Sequence, residues 1–184
     1  MSTNQTPQSV KANSQGRAGF QNQPLSNQGT AQGIPTDISV IVNAFSEPVG
    51  LEGNHAFTIS QLSDNAFQTM TLQMPDGSTG TLNLYYRAST PRWFFDFLHP
   101  ALPNGGPQGN GLVTFPNLLR PWQNIAPFGF SCVTLDGQDP VDSEDFIDGY
   151  ASLYILDAIG VLAVEAQVFN NVLAQSVLSA AGGF

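Results

Sequence analysis

Two histidines, His55 and His99, one cysteine, Cys132, and one lysine, Lys11, are the side chains in 184 residues best suited to nucleophilic or base chemistry. Neither histidine has a Cys or Ser neighbour at a spacing that forms a nucleophile–base pair. His55 precedes a candidate strand and His99 precedes Pro100. No G-x-S-x-G, H-E-x-x-H, phosphate-binding loop or dinucleotide fingerprint occurs. The lysine lies near the N-terminus, which removes Schiff-base and phosphate-clamp roles from the rest of the chain. A single cysteine excludes an intramolecular disulfide and a Cys-based zinc site. Its setting, Phe-Gly-Phe-Ser-Cys-Val-Thr-Leu, reads as that of a buried small hydrophobe. No catalytic residue, cofactor or metal ligand is expected, and the chain reads as non-enzymatic.

One polar cluster is dense. Residues 136–148 hold six carboxylates: Asp136, Asp139, Asp142, Glu144, Asp145 and Asp148. Such a run can gather oxygens around Ca²⁺, but Gln138 and Pro140 occupy the third and fifth places of an EF-hand loop and no glycine follows. A solvated acidic loop is the plainer reading, and a docking patch for a basic partner is a third. The aromatic run Tyr85, Tyr86, Trp93, Phe94, Phe95 and Phe97 could stack on sugars. Its alternation along successive strands suits the filling of a β core better. Trp122, in Arg120-Pro121-Trp122-Gln123, is the better candidate for an exposed aromatic, or for a cap over a sheet end.

The elements around these residues follow from patterning. Residues 1–36 contain no Asp or Glu and are rich in Gln, Asn, Ser and Gly. Their charges are Lys11 and Arg17, and Phe20 and Leu25 are isolated apolar points that could seat in a partner's grooves. The remainder sets all fourteen carboxylates against three arginines, a balance of −11. Such a segment cannot offset its own ordering entropy, so a polar arm is expected over 1–36. The domain proper is expected over 37–156 and a C-terminal segment over 157–184.

Within the body, residues 38–45 are a β-branched run that reads as a strand, and 55–60 as another. Residues 66–74 place Met70, Leu72 and Met74 in one phase. Pro75-Asp76-Gly77-Ser78 follows as a turn, and 81–87 place Leu82, Leu84 and Tyr86 in one phase, so a hairpin is predicted. Residues 92–98, 128–135 and 150–156 read as further strands, 100–111 as a loop, and 112–119 as an edge strand or irregular segment because of Pro116. This pattern predicts an all-β sandwich or barrel with an extended N-terminal arm. After Val161 a helical stripe (Val161, Val164, Val168, Val172) competes with a hairpin turning at Asn170-Asn171. Alanine content and Gly182-Gly183 favour the helix.

Charged residues make up 10% of the chain, far below the usual ~25%. A surface poor in charge is cheap to desolvate, which suits an interface. The acidic balance argues against nucleic acid as a partner, and no apolar run is long enough to cross a membrane. Residues 2–33 lack the apolar core of a signal peptide, so a protein made in the cytoplasm is expected.

The succession Phe-Thr-Ile (57–59), Leu-Asn-Leu-Tyr-Tyr-Arg (82–87), Arg-Trp-Phe-Phe-Asp-Phe (92–97), Leu-Leu-Arg-Pro-Trp-Gln-Asn (118–124) and Asp-Gly-Tyr-Ala-Ser-Leu-Tyr-Ile-Leu (148–156) resembles the small β-domain proteins of contractile phage-tail baseplates. The likeness is to the plug or wedge type of cyanophage-like baseplates. It covers about residues 55–156 and rests on strand order and aromatic placement, with Arg92, Trp93, Phe95 and Asp96 in the aromatic strand and Leu153 and Tyr154 in the last one. The acidic stretch 139–145 is longer than the turn expected there. The resemblance implies a non-catalytic virion subunit, present in several copies among hub, tube, wedge or sheath proteins, whose arm binds its neighbours. The partner-binding candidates are Lys11, Arg17, Phe20, Leu25 and Trp122. A host-surface or glycan-binding β-module is the alternative.

Overall fold

The computed structural model describes residues 30–45 and 53–169. The predicted hairpin is its centre. β4 (Phe67–Gln73) alternates exposed and buried side chains at every step, and β5 (Thr79–Arg87) answers with Gly80, Leu82 and Leu84 turned inward. Between them the turn closes through Met74 N–H to the Ser78 carbonyl and Gly77 N–H to the Met74 carbonyl. Gly77 supplies a φ of 83°, a conformation that costs other residues strain. β6 (Arg92–Leu98) then sets Trp93, Phe95 and Phe97 inward, opposite Tyr86, Leu84 and Leu82. A side chain at Gly80 would collide with the Phe97 ring, 2.5 Å from the position its Cβ would take. Glycine there leaves room for the larger residue.

The strands form two sheets. The first has the order β1-β4-β5-β6-β7, with β1 (Thr30–Gln32) parallel to β4 and the other pairs antiparallel. The second is antiparallel in the order β2-β3-β9-β8, where β2 is Ile34–Thr36, β3 Ala56–Thr58, β9 Ala151–Asp157 and β8 Phe128–Thr134. β7, the far edge of the first sheet, is Asn110–Gly111. One cluster joins Met70, Leu84, Trp93 and Phe97 of the first sheet to Phe128, Phe130, Leu153 and Ile155 of the second. Each such side chain contributes roughly 1.5–3 kcal/mol by burial. The molecule is therefore mostly β, with two sheets around a shared apolar core.

The second sheet is covered on its other face as well. Ala56, Tyr154 and Leu156 meet Ile38, Ile41 and Val42 of one helical segment and Val161 and Val164 of another. Cover on both faces explains why β8 is almost continuously buried, Ser131 and Thr134 included. Its outer edge is closed by residues 115–118, through a paired bridge between Phe115 and Cys132 and a bond from Leu118 N–H to the Phe130 carbonyl. Cys132 is buried, as its apolar setting predicts.

Two expectations change here. Residues 38–45, read as a strand, form the helix α1 (Ser39–Phe45). Ile38, Ile41 and Val42 recur at i, i+3 and i+4 and lie on the second sheet, while Asp37 Oδ1 accepts the Ser39 N–H at 2.8 Å to start the turn. A face needing cover overrode β-branched propensity. Residues 30–36, placed at the end of the arm, are instead strands of both sheets. Backbone pairing, with a Thr36–Thr58 hydroxyl bond of 2.6 Å, ties them to both sheets without an apolar pattern in the sequence. At the other end, α2 (Ala158–Val164) continues into a π-helical turn, Glu165–Phe169, with Val161, Val164 and Val168 inward. The helical reading holds over these residues; Val172, Asn170-Asn171 and Gly182-Gly183 lie outside the described residues.

Candidate functional site

The fold assembles one catalytic-looking constellation that spacing alone concealed. The hairpin turn and the β5–β6 register bring Asp76, Ser78 and His99 together. Ser78 Oγ lies 2.8 Å from His99 Nε2 and 2.5 Å from Asp76 Oδ1. His99 Nδ1 accepts the Ala101 N–H at 3.2 Å, so the proton of the neutral ring sits on Nε2 and is donated to Ser78. Ser78 in turn donates to Asp76. A nucleophilic serine needs a histidine that accepts its proton, and here the polarity runs the other way. The His99 ring is 4% exposed and stacks on Phe97 and edge-on against Phe128. Burial pushes its pKa down, partly offset by the Asp76 carboxylate. This trio locks a turn and does not activate a nucleophile. The clue in the sequence was the hairpin register, which places residue 99 beside the turn.

His55 is likewise structural. Its Nδ1 lies 2.9 Å from Asp157 Oδ2, and Asp157 Oδ1 caps α2 by accepting the Gly160 N–H at 2.7 Å. Of the six acidic side chains of 136–148, Asp136, Asp139 and Asp145 are turned onto neighbouring backbone and side chains, while Asp142, Glu144 and Asp148 are exposed. Asp145 Oδ2 accepts the N–H groups of Val141 and Asp142 at 2.7 and 2.9 Å. Asp139 accepts the Thr114 N–H and pairs with Arg92 at 3.2 Å. Asp136 accepts the Tyr150 hydroxyl, a bond that pushes the Tyr150 pKa up to about 12. From the first sheet, Trp93 Nε1 donates to the Asp142 carbonyl and Tyr86 to that of Val141. The stretch is thus a strap joining the two sheets at one end, and among the described residues no three His, Cys, Asp or Glu side chains gather as metal ligands. Asp96 accepts the Gly109 N–H at 2.6 Å and the Tyr85 hydroxyl at 3.3 Å, again a local tie.

The aromatic run divides by parity. Trp93, Phe95 and Phe97 enter the core, whereas Phe67, Tyr85 and Phe94 stand in one cross-strand row on the outer face. Tyr85 and Phe94 stack on each other at 5.7 Å, and the Arg87 guanidinium lies 4.4 Å from the Phe94 centroid. The Tyr85 and Phe94 faces are turned to one another and to Arg87, whereas Phe67 at the end of the row is 62% exposed.

A groove of about 770 Å³ with polar groups to offer runs along the edge at β7. Phe95, Val113, Phe115 and Leu118 form its apolar side, and Asn117, Arg120 and Gln123 its polar side. Asn117 is fully buried. Its Oδ1 accepts the Leu119 N–H, but its Nδ2 has no hydrogen-bond partner among the described residues, and neither has Gln123 Oε1. Arg120 is held at the rim, its Nε 3.3 Å from Glu165 Oε2 and its guanidinium 3.5 Å over the Phe169 ring. Trp122 lies in the same 3-10 turn, Arg120–Trp122, half-buried against the main core. No family model matches the chain, and no curated protein matches it.

Lys11, Arg17, Phe20 and Leu25 lie outside the described residues. Of the partner-binding candidates, Trp122 alone falls within them, and it stands beside this groove. The groove itself escaped sequence reading, because its polar atoms come from an irregular segment with no period.

Proposed function

We propose that this chain is a non-catalytic assembly subunit: a β-sandwich body that carries an acid-free N-terminal arm for binding neighbouring subunits. The observation that carries this reading is the root of the arm. Residues 30–36 pair with β4 in one sheet and, immediately afterwards, with β3 in the other. The segment ahead of Thr30 therefore starts from a fixed place on the body. An arm that transmits position in an assembly requires such a root, whereas a dispensable leader does not.

The charge asymmetry supports the same reading, since a cationic segment of low charge density meets an anionic body with little electrostatic penalty. So do both histidines and the carboxylates of Asp76, Asp139, Asp145 and Asp157, which are occupied with turns, caps and straps. Following the resemblance in strand order, the assembly is a phage-tail baseplate, with hub, tube, wedge or sheath proteins as neighbours and several copies per virion. Ordering the arm costs several kcal/mol, which contacts on a partner offset. The test is removal of residues 1–29, which leaves β1 and β2 in place. The truncated chain should fold, judged by circular dichroism and a cooperative melt, and fail to enter particles. Normal incorporation would overturn the proposal.

A further inference from the structure

We propose that the groove at β7 receives the arm of a second copy of this chain, with the segment around Leu25 added as an extended strand along the β7 edge. The inference rests on the assembly reading above and names the surface the arm binds.

The groove has unmet hydrogen-bonding capacity of the kind a peptide satisfies. Leu112 N–H bonds to the Trp93 carbonyl, and antiparallel alternation then turns the N–H and C=O of Gly111, opposite Phe94, away from β6 and toward the groove. Of the residues that line the groove, Asn117 keeps a buried donor, Nδ2, and Gln123 a buried acceptor, Oε1, without a partner among the described residues. A buried polar group left unpaired is destabilising, and an amide brings both the acceptor and the donor that these two lack. Strand addition at a sheet edge is a general mode of peptide recognition, in which main-chain bonds bind and alternate side chains enter pockets.

The choice of occupant follows from chemistry and reach. Residues 21–28 read Gln-Asn-Gln-Pro-Leu-Ser-Asn-Gln, an uncharged amide-rich run with one larger apolar side chain, Leu25. The groove matches it: an apolar side at Val113, Phe115 and Leu118, amide side chains opposite, and an arginine already paired with Glu165. The arm enters its own body at β1, the opposite edge of the first sheet from β7. Five strand steps of ~4.8 Å separate β1 from a strand added beyond β7, ~24 Å in a straight line. Leu25 precedes Thr30 by five residues, at most ~18 Å of chain at full stretch. It falls short of its own groove but can extend outward into that of a neighbour. Repeated from copy to copy, the contact is heterologous and joins subunits in a ring or a row.

The test uses the full chain carrying a photo-crosslinking residue, Leu25→p-benzoylphenylalanine, in an equal mixture of ¹⁵N-labelled and unlabelled protein. Irradiation should join position 25 to peptides spanning residues 109–123, with heavy–light pairs as abundant as chance mixing allows. An excess of the synthetic peptide 1–29 should lower that yield at least tenfold, a control that needs no groove mutation. The pair Asn117→Ala and Gln123→Ala should lower it similarly while the far-UV spectrum is unchanged. Cross-links within one chain only, cross-links elsewhere on the body, or none at all would overturn the proposal. If removal of residues 1–29 blocks incorporation although no cross-link reaches the groove, the assembly reading stands and this one falls.

Discussion

His55 and Asp157 are joined twice. The Asp157 N–H donates to the His55 carbonyl at 3.1 Å, and its carboxylate meets the His55 ring at 2.9 Å. The same carboxylate caps α2, whose first turn lies so close to β3 that a Cβ at Gly160 would stand 2.4 Å from the His55 carbonyl oxygen. One aspartate thus fixes where the helix begins and which backbone it touches. Replacing it with alanine removes both side-chain ties and should cost about 1–2 kcal/mol. That is a fall in melting temperature of about 2–8 °C. Asp157→Asn keeps an acceptor for Gly160 and should recover most of the loss. Equal loss in both variants would show that the helix cap is not what matters.

His99 should give stability a pH dependence of known sign. Burial holds its folded pKa below the ordinary 6.5, with Asp76 only partly offsetting this. The unfolded chain therefore binds the extra proton first as pH falls. The contribution is complete above 6.5, is lost as pH drops from there to the folded pKa, and changes no further below it. Asp76 acts in a separate window: burial pushes its carboxyl up, but the bonds from Ser78 and the nearby His99 outweigh that and hold it below 3.8. Its contribution is complete above 3.8 and is lost as pH falls below that. Melting temperatures from pH 8 to pH 4.5 should fall in the wild type, and the His99→Phe variant should lose the His99 part of that fall. An unaltered pH profile in the variant would contradict the assignment.

How much of this was legible in advance follows the range of the forces involved. β4, β5 and β6 announce themselves, because Met70, Leu72, Leu82 and Leu84 alternate and Asp76-Gly77 has turn chemistry. α1 did not, since its stripe of Ile38, Ile41 and Val42 is also a β-branched run. Only the uncovered face of the second sheet decides between them. β1 and β2 carry little apolar pattern, and their pairing shows in main-chain bonds and the Thr36–Thr58 hydroxyl pair rather than in periodicity. The groove was hidden for a related reason: Asn117 and Gln123 look like ordinary loop polar residues until the fold buries atoms of both.

Cys132 should be unreactive in the folded protein. Burial, reinforced by the carboxylates of Asp139 and Asp145, pushes its thiol up to about 12. At pH 8 only about one molecule in ten thousand then carries a thiolate, and that thiolate is shielded from reagent. A thiol-reactive dye should label no cysteine in native protein at pH 8 and one per chain in denaturant. Rapid native labelling would mean that the strand β8 opens far more readily than its buried, two-sided packing implies.

Gly33 separates a rooted arm from a merely tethered one. It lies between β1 and β2, where the chain passes from one sheet to the other, and a Cβ there would stand 2.5 Å from the Phe57 Cβ. Neither atom can yield without moving a strand. Gly33→Val should therefore displace β2 from β3 at a cost of about 1–3 kcal/mol. β5 and β6, which pair with neither β1 nor β2, should be unaffected. Hydrogen exchange should quicken at residues 34–36 and 56–58 and stay slow across β5 and β6. If the arm works through its fixed root, this variant should enter particles as poorly as the chain lacking residues 1–29, although its arm is intact. Full incorporation alongside quickened exchange would show that the arm needs only attachment, and that the root contributes stability alone.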